Sequence, residues 1–164
     1  MNTSLESFET TQNHDEHWMR HAISLANNAQ NQGEVPIGAI VVLHNKVIGE
    51  GWNQPITLND PTAHAEIIAL RQAAQTLRNY RLIHSTLYVT LEPCSMCAGA
   101  ILYSRIYRLV YGARSSKNSS ITSCIDTLGY KGTNHHVHIK YGILDKECSN
   151  ILRKFFYKKR IKKY

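Results

Sequence analysis

His64-Ala65-Glu66 and, after the 26 residues 67–92, Pro93-Cys94-Ser95-Met96-Cys97 bring an imidazole, a carboxylate and two thiols into the chain at spacings that suit chemistry. Each group falls where the surrounding pattern predicts the first turn of a helix, and Cys94 and Cys97, three apart, project from one helical face. One histidine and two cysteines form a donor set that suits zinc, and three protein ligands leave a fourth position for water, as in catalytic rather than structural sites. The partial positive charge of a helix N-terminus favours thiolate over thiol and assists the ligation. Water on such a zinc ionises near neutral pH. Glu66, two residues from the histidine, is placed to take that proton and later return it to a leaving group. This pairing suits hydrolytic replacement of an exocyclic amine on an aromatic ring carbon, a deamination.

Taken singly, the same residues have plainer readings. A lone histidine at a helix start is an ordinary polar residue, and a lone Cys-x-x-Cys is a redox pair or half of a closed zinc site. A closed site needs four protein ligands, and the remaining cysteines, Cys124 and Cys148, form no second close pair. Cys148 reads as a buried face residue of a late helix.

The elements that must position these groups alternate along the chain. Three- and four-residue spacing of Trp18, Ala22, Leu25, Ala26 and Ala29 predicts a helix over 16–32, capped by Asp15. Residues 36–43 and 46–51 read as a hairpin turning through His44 and Asn45. A loop rich in Asn, Pro and Gly covers 51–60, and Pro61 and Thr62 open a second helix to about residue 78. A strand over 86–91 meets Glu92 and Pro93, which start a third helix to residue 104. Further strands are predicted at 106–111 and 137–143, separated by a Ser/Gly/Asn/Thr-rich stretch with a short helix at 123–128. A last helix over 145–160 carries Cys148, Ile151, Leu152, Phe155 and Phe156 near one face. The pattern implies a three-layer α/β/α domain around a mixed sheet of about five strands. Residues 1–15 read as a loose arm, 16–160 as the domain and 161–164 as a basic tail.

Composition sets the outer bounds. The chain has 164 residues, 43% apolar and 19% charged, which fits one domain, and 9 Gly with 4 Pro exclude a collagen-like or low-complexity chain. No apolar run approaches the roughly 18 residues of a membrane span. Residues 1–17 lack the basic and apolar regions of a secretion signal, so the expected location is the cytoplasm, with reduced cysteines. The net charge of +7 is concentrated: residues 153–164 hold seven of the 19 Lys and Arg and none of the 12 Asp and Glu. Such a patch suits phosphate binding by counterion release. A solvated, frayed tail would read the same way.

Beyond the two metal motifs, Val35-Pro36-Ile37-Gly38-Ala39, Gly51-Trp52-Asn53, Asp60-Pro61-Thr62-Ala63, Leu91-Glu92 and Cys97-Ala98-Gly99-Ala100 are present. With H-x-E…P-C-x-x-C they resemble the bacterial tRNA-specific adenosine deaminase family, within the zinc-dependent cytidine-deaminase-like superfamily, over about residues 16–160. The resemblance implies a cytidine-deaminase-like fold, a homodimer, one zinc per subunit and conversion of adenosine to inosine at the first anticodon position of an arginine tRNA. It assigns zinc to His64, Cys94 and Cys97 and the proton shuttle to Glu66. It assigns the flipped nucleotide to Asn53, with Val35, Pro55, Leu91 and Ala65 around the base. Phe156, Lys159 and Arg160 match the family's RNA-contacting C-terminal helix, and Arg114 and Lys117 its adjoining loop. On residue type alone, Asn53 is a turn residue and Phe155 a core residue.

One stretch departs from the family pattern. Where the family commonly carries an acid after Gly-Ala-Arg, this chain has Ser115, so the acid's RNA contact does not transfer; serine offers a ribose or phosphate a hydrogen bond without charge. Two rival functions fit the same motifs. A guanine or other free-base or nucleoside deaminase would use the same Asp60–Glu66 run, but a small purine needs no basic, aromatic C-terminal helix. A noncatalytic zinc-stabilised RNA-binding module would have no use for Glu66.

Overall fold

The structure, a computed structural model, describes residues 3–115, 128 and 134–161, with side chains from residue 13 onward. Along β1 (Gly38–Leu43), Ala39 and Val41 face one side and Ile40 and Val42 the other, and all four are buried. A strand apolar on both faces needs a covering layer on each. One layer is α3 (Ala65–Leu77) with α4 (Ser95–Tyr103), which packs Ala69, Leu70, Ala73 and Ile101 against Val41 and Leu87. The other is α1 (Thr3–Asn31) with α5 (Asp145–Ile161), which sets Met19, Ala22, Leu25 and Cys148 against Ile40, Val42, Tyr88 and Val110.

Between them lies a five-stranded sheet in the order β2-β1-β3-β4-β5, formed with β2 (Lys46–Trp52), β3 (Thr86–Leu91), β4 (Arg108–Ala113) and β5 (His138–Tyr141). Strand β1 runs antiparallel to both β2 and β3, whereas β3–β4 and β4–β5 are parallel. This is the mixed α/β/α sandwich expected. His44 and Asn45 turn the β1–β2 hairpin with positive φ at both positions, the geometry that matches strand twist in a two-residue turn.

The structure moves several boundaries. Helix α1 begins at Thr3 rather than 16, so the segment read as a loose arm is helical from Thr3, and Asp15 lies inside the helix instead of capping it. Its carboxylate is fully buried and accepts hydrogen bonds from Arg108 at 2.7 and 2.8 Å, Lys140 at 2.8 Å and the Tyr88 hydroxyl at 2.9 Å. Partners on three strands accommodate an acid that otherwise prefers a helix start. Helices α3 and α4 begin three to four residues later than 61 and 92: residues 61–62 form a turn behind Asp60, and Pro93 lies in irregular chain leading to the extended N-cap Cys94. In that turn, the Asp60 carboxylate accepts the Thr62 N–H at 2.8 Å and the Thr62 hydroxyl at 2.7 Å. Residues 55–60 are no plain loop: α2 (Pro55–Leu58) is a single helical turn with Pro at its start. Strand β4 reaches Ala113, two residues past the expected end, and β5 is shorter than 137–143. Apart from the buried Leu128, the short helix expected at 123–128 lies outside the described residues, as do Cys124, Lys117 and 162–164.

Candidate active site

The site is built where two helices start. At Gly51 on β2 a Cβ would overlap the Ala65 carbonyl oxygen, so only glycine lets α3 lie this close to the strand backbone. The chain then reaches Asn53, which is buried, and its side-chain oxygen accepts the Ala65 N–H at 2.9 Å. That satisfies one of the amides a helix leaves unpaired in its first turn. His64 is the N-cap of α3, with Glu66 in the first turn, and Cys94 is the N-cap of α4, with Cys97 in its first turn.

These two starts converge. The Sγ atoms of Cys94 and Cys97 each lie 3.6 Å from His64 Nδ1, and the three donor atoms are all within 4.8 Å of one another. A tetrahedral zinc with its usual bond lengths has N···S edges of about 3.6 Å, so the donor set fits that metal in spacing as well as in type. Among the described residues no other group of three such side chains comes together this way.

Burial and neighbours set the protonation states. Burial pushes the Glu66 carboxyl up to about 7, against its backbone hydrogen bond and the positive His64 ring. The hydrogen bond from Cys97 holds the Cys94 thiol down to about 4, with His64 assisting and burial opposing. Cys97 is pushed up correspondingly by its bond to Cys94, by burial and by the Glu66 charge. The bond to Cys94 also raises His64. Zinc held by both sulfurs would take them as thiolates.

The remaining sequence candidates do not share one place. Val35, Leu91, Arg114, Phe156 and Arg160 line one cleft of about 500 Å³, together with Ser115. Leu91 stands three residues before Cys94. Phe156 is 44% exposed whereas Phe155 is 7% exposed, so the core and surface roles of this pair separate as expected. Arg114 lies over the Tyr141 ring, 4.1 Å from its centre. Lys159 instead lies over the Phe155 ring at 5.4 Å and lines a different cleft with Gln30, Asn31 and Gly33. Ala65 packs its side chain into the core beside Ala69, leaving its N–H to Asn53. Pro55 is half-buried at the start of α2.

Sequence reasoning missed two residues. Arg153 lines the same cleft as Arg160, and their seven-residue spacing on one helix was the available signal. Glu92 accepts the Ser115 N–H at 3.1 Å and so holds that loop beside the start of α4, a contact with no local signature.

The MafB19-like deaminase family matches residues 13–160. The chain belongs to that family. This deaminase is 53% identical to the tRNA-specific adenosine deaminase of Haemophilus influenzae over 150 residues, 91% of this chain and 87% of that one. A solved structure described under A-to-I editing by tRNA:A34 deaminases at the wobble position of transfer RNA superposes with a TM-score of 0.78 at 42% identity, covering 83% of the deaminase and 99% of that chain. The guanine deaminase of Bacillus subtilis superposes less extensively, with a TM-score of 0.60 at 37% identity over 73% of this chain and 76% of that one. Among the described residues of the deaminase, no helix is long and apolar enough to cross a membrane.

Proposed function

We propose that the chain hydrolyses the exocyclic amine of adenosine at the wobble position of a tRNA, an arginine tRNA, leaving inosine and ammonia. The observation that carries this reading is the convergence of His64, Cys94 and Cys97 with a buried Glu66 at two helix starts. Zinc held by those three residues, one per subunit, would supply the Lewis acidity that brings water's ionisation near neutral pH. Glu66 takes the proton from the attacking water, delivers it to the ring nitrogen, and serves the departing amine. Asn53 has its oxygen committed to Ala65, which leaves its amide N–H groups to hold the nucleotide. Val35 and Leu91 form apolar walls, with Pro55 on the neighbouring turn. An anticodon loop is already unpaired, so flipping its base costs less than it would in a duplex.

The cleft along α5 supports the RNA substrate over a free base. An exposed Phe156 offers a stacking face, and Arg153, Arg160 and Arg114 offer phosphate contacts. A homodimer is supported by a groove of about 340 Å³ between α3 and α4, lined by Ile67, Leu70, Ala100, Tyr80 and Tyr103, the last 83% exposed. A tRNA substrate supports a cytoplasmic location.

Mass-spectrometric nucleoside analysis tests the substrate. Zinc-loaded protein is incubated with an arginine tRNA carrying adenosine at the wobble position and, in parallel, with guanine. Inosine at that nucleotide with guanine untouched is the expected result. Xanthine without inosine would transfer the site to purine-base deamination.

A further inference from the structure

Helix α1 ends at Asn31, and Gly33, at φ +79°, turns the chain out of it. The Glu34 N–H closes back on the Ala29 carbonyl at 3.0 Å, and the side chain enters the interior, 2% exposed. Burying a carboxylate is costly unless donors meet it. Two donors from one residue do: the Thr57 N–H at 2.7 Å and the Thr57 hydroxyl at 2.9 Å, both on Glu34 Oε1.

Thr57 lies in α2, two residues after Pro55, and Glu34 immediately precedes Val35. The contact therefore joins the segments that carry two of the apolar pocket walls. The α2 segment is also tied to the reacting groups. The Asn53 N–H reaches the Ile37 carbonyl at 3.1 Å, the Gln54 N–H reaches Ala63 at 3.0 Å, and the Asn53 side chain holds Ala65, between His64 and Glu66.

We propose that Glu34 is a positioning residue for the substrate base: by holding Thr57 it fixes α2, and through α2 the placement of Asn53 and Pro55 relative to Glu66. This rests on the deaminase reading of the site. A carboxylate buried between two wall segments sets a distance that apolar packing alone would leave adjustable, and a misplacement of about 1 Å in a reacting pair costs on the order of a hundredfold in rate.

A double-mutant cycle with hydrogen exchange tests it. Glu34→Ala is expected to lower kcat/KM on the tRNA anticodon stem-loop by about tenfold to a hundredfold, chiefly through kcat, with bound zinc unchanged. Glu34→Gln keeps the accepting oxygen and should stay within about twofold of wild type, the resolution of such cycles. Thr57→Val should lose less, and adding it to Glu34→Ala should cost nothing further, since both act through one link. The amides of Gln54 and of residues 56–58 should exchange faster in Glu34→Ala while the sheet keeps its protection. Wild-type kcat/KM in Glu34→Ala, additive losses, a Gln variant as impaired as Ala, or faster exchange throughout the chain would each overturn the proposal. Absence of adenosine deamination by the wild-type enzyme would sink the deaminase reading instead, and the exchange data would still report on the Glu34–Thr57 link.

Discussion

Glu66 is the residue on which catalytic and structural readings of the metal site separate. Glutamine matches its shape and can fill the same buried space, but it has no proton to move. Glu66→Gln is therefore expected to keep the wild-type zinc content and thermal unfolding while turnover on tRNA falls at least about hundredfold. Metal analysis and single-turnover kinetics check both halves, and near-normal turnover would make the centre a structural one. His64, Glu66, Cys94 and Cys97 were legible in the sequence because helical spacing converts short separations into a shared direction. Glu34 and Glu92 were not, since their partners, Thr57 and the Ser115 N–H, lie 23 residues away and follow no periodic rule. Asn53 was half legible: its turn-like setting was visible, whereas its grip on the Ala65 N–H depends on how closely β2 approaches α3.

The decisive contact between elements is that approach of α3 to β2. Gly51→Ala would drive a methyl group into the Ala65 carbonyl and push back the helix start that carries His64 and Glu66. Such overpacking is expected to cost about 1–3 kcal/mol in urea unfolding and, unlike Glu66→Gln, to lower zinc occupancy. At the outer surface α5 makes a different demand. Arg153 and Arg160 line the cleft beside Phe156, while Lys159 faces away across Phe155. If each arginine meets one phosphate of a single-stranded loop, Arg153→Ala and Arg160→Ala should each reduce the salt slope of log K by about 0.7. Lys159→Ala should leave the slope closer to wild type, and binding titrations at several salt concentrations read the difference. Helix and strand identities were legible from apolar periodicity, yet the starts of α3 and α4 were not. A proline before a helix is compatible with either the first helical position or the segment ahead of the N-cap, and here Pro61 and Pro93 both lie ahead of it.

At the scale of the whole molecule, helices separating strands that are apolar on both faces made the three layers readable, but nothing local showed what locks α1 across the sheet. Asp15 does so, with Arg108 of β4, Lys140 of β5 and the Tyr88 hydroxyl of β3 around one buried carboxylate. Burial alone would raise this carboxyl. The hydrogen bonds and charges of Arg108 and Lys140, with Tyr88, outweigh burial and hold it below its ordinary value of 3.8. The unfolded chain therefore takes up the proton first, so the contribution of Asp15 is fully present above about pH 4 and is lost as pH falls through the depressed folded-state value. Asp15→Asn removes that titration while keeping one accepting oxygen, and it takes a buried counter-charge away from Arg108 and Lys140. It is expected to destabilise the protein by about 3 kcal/mol near neutral pH, and the penalty should shrink as wild type approaches and passes below pH 3.8. Urea unfolding of both proteins from pH 6 to about pH 2.5 measures the gap. A gap that stays constant down the acid limb would mean that the carboxylate is not what fastens α1 to the sheet.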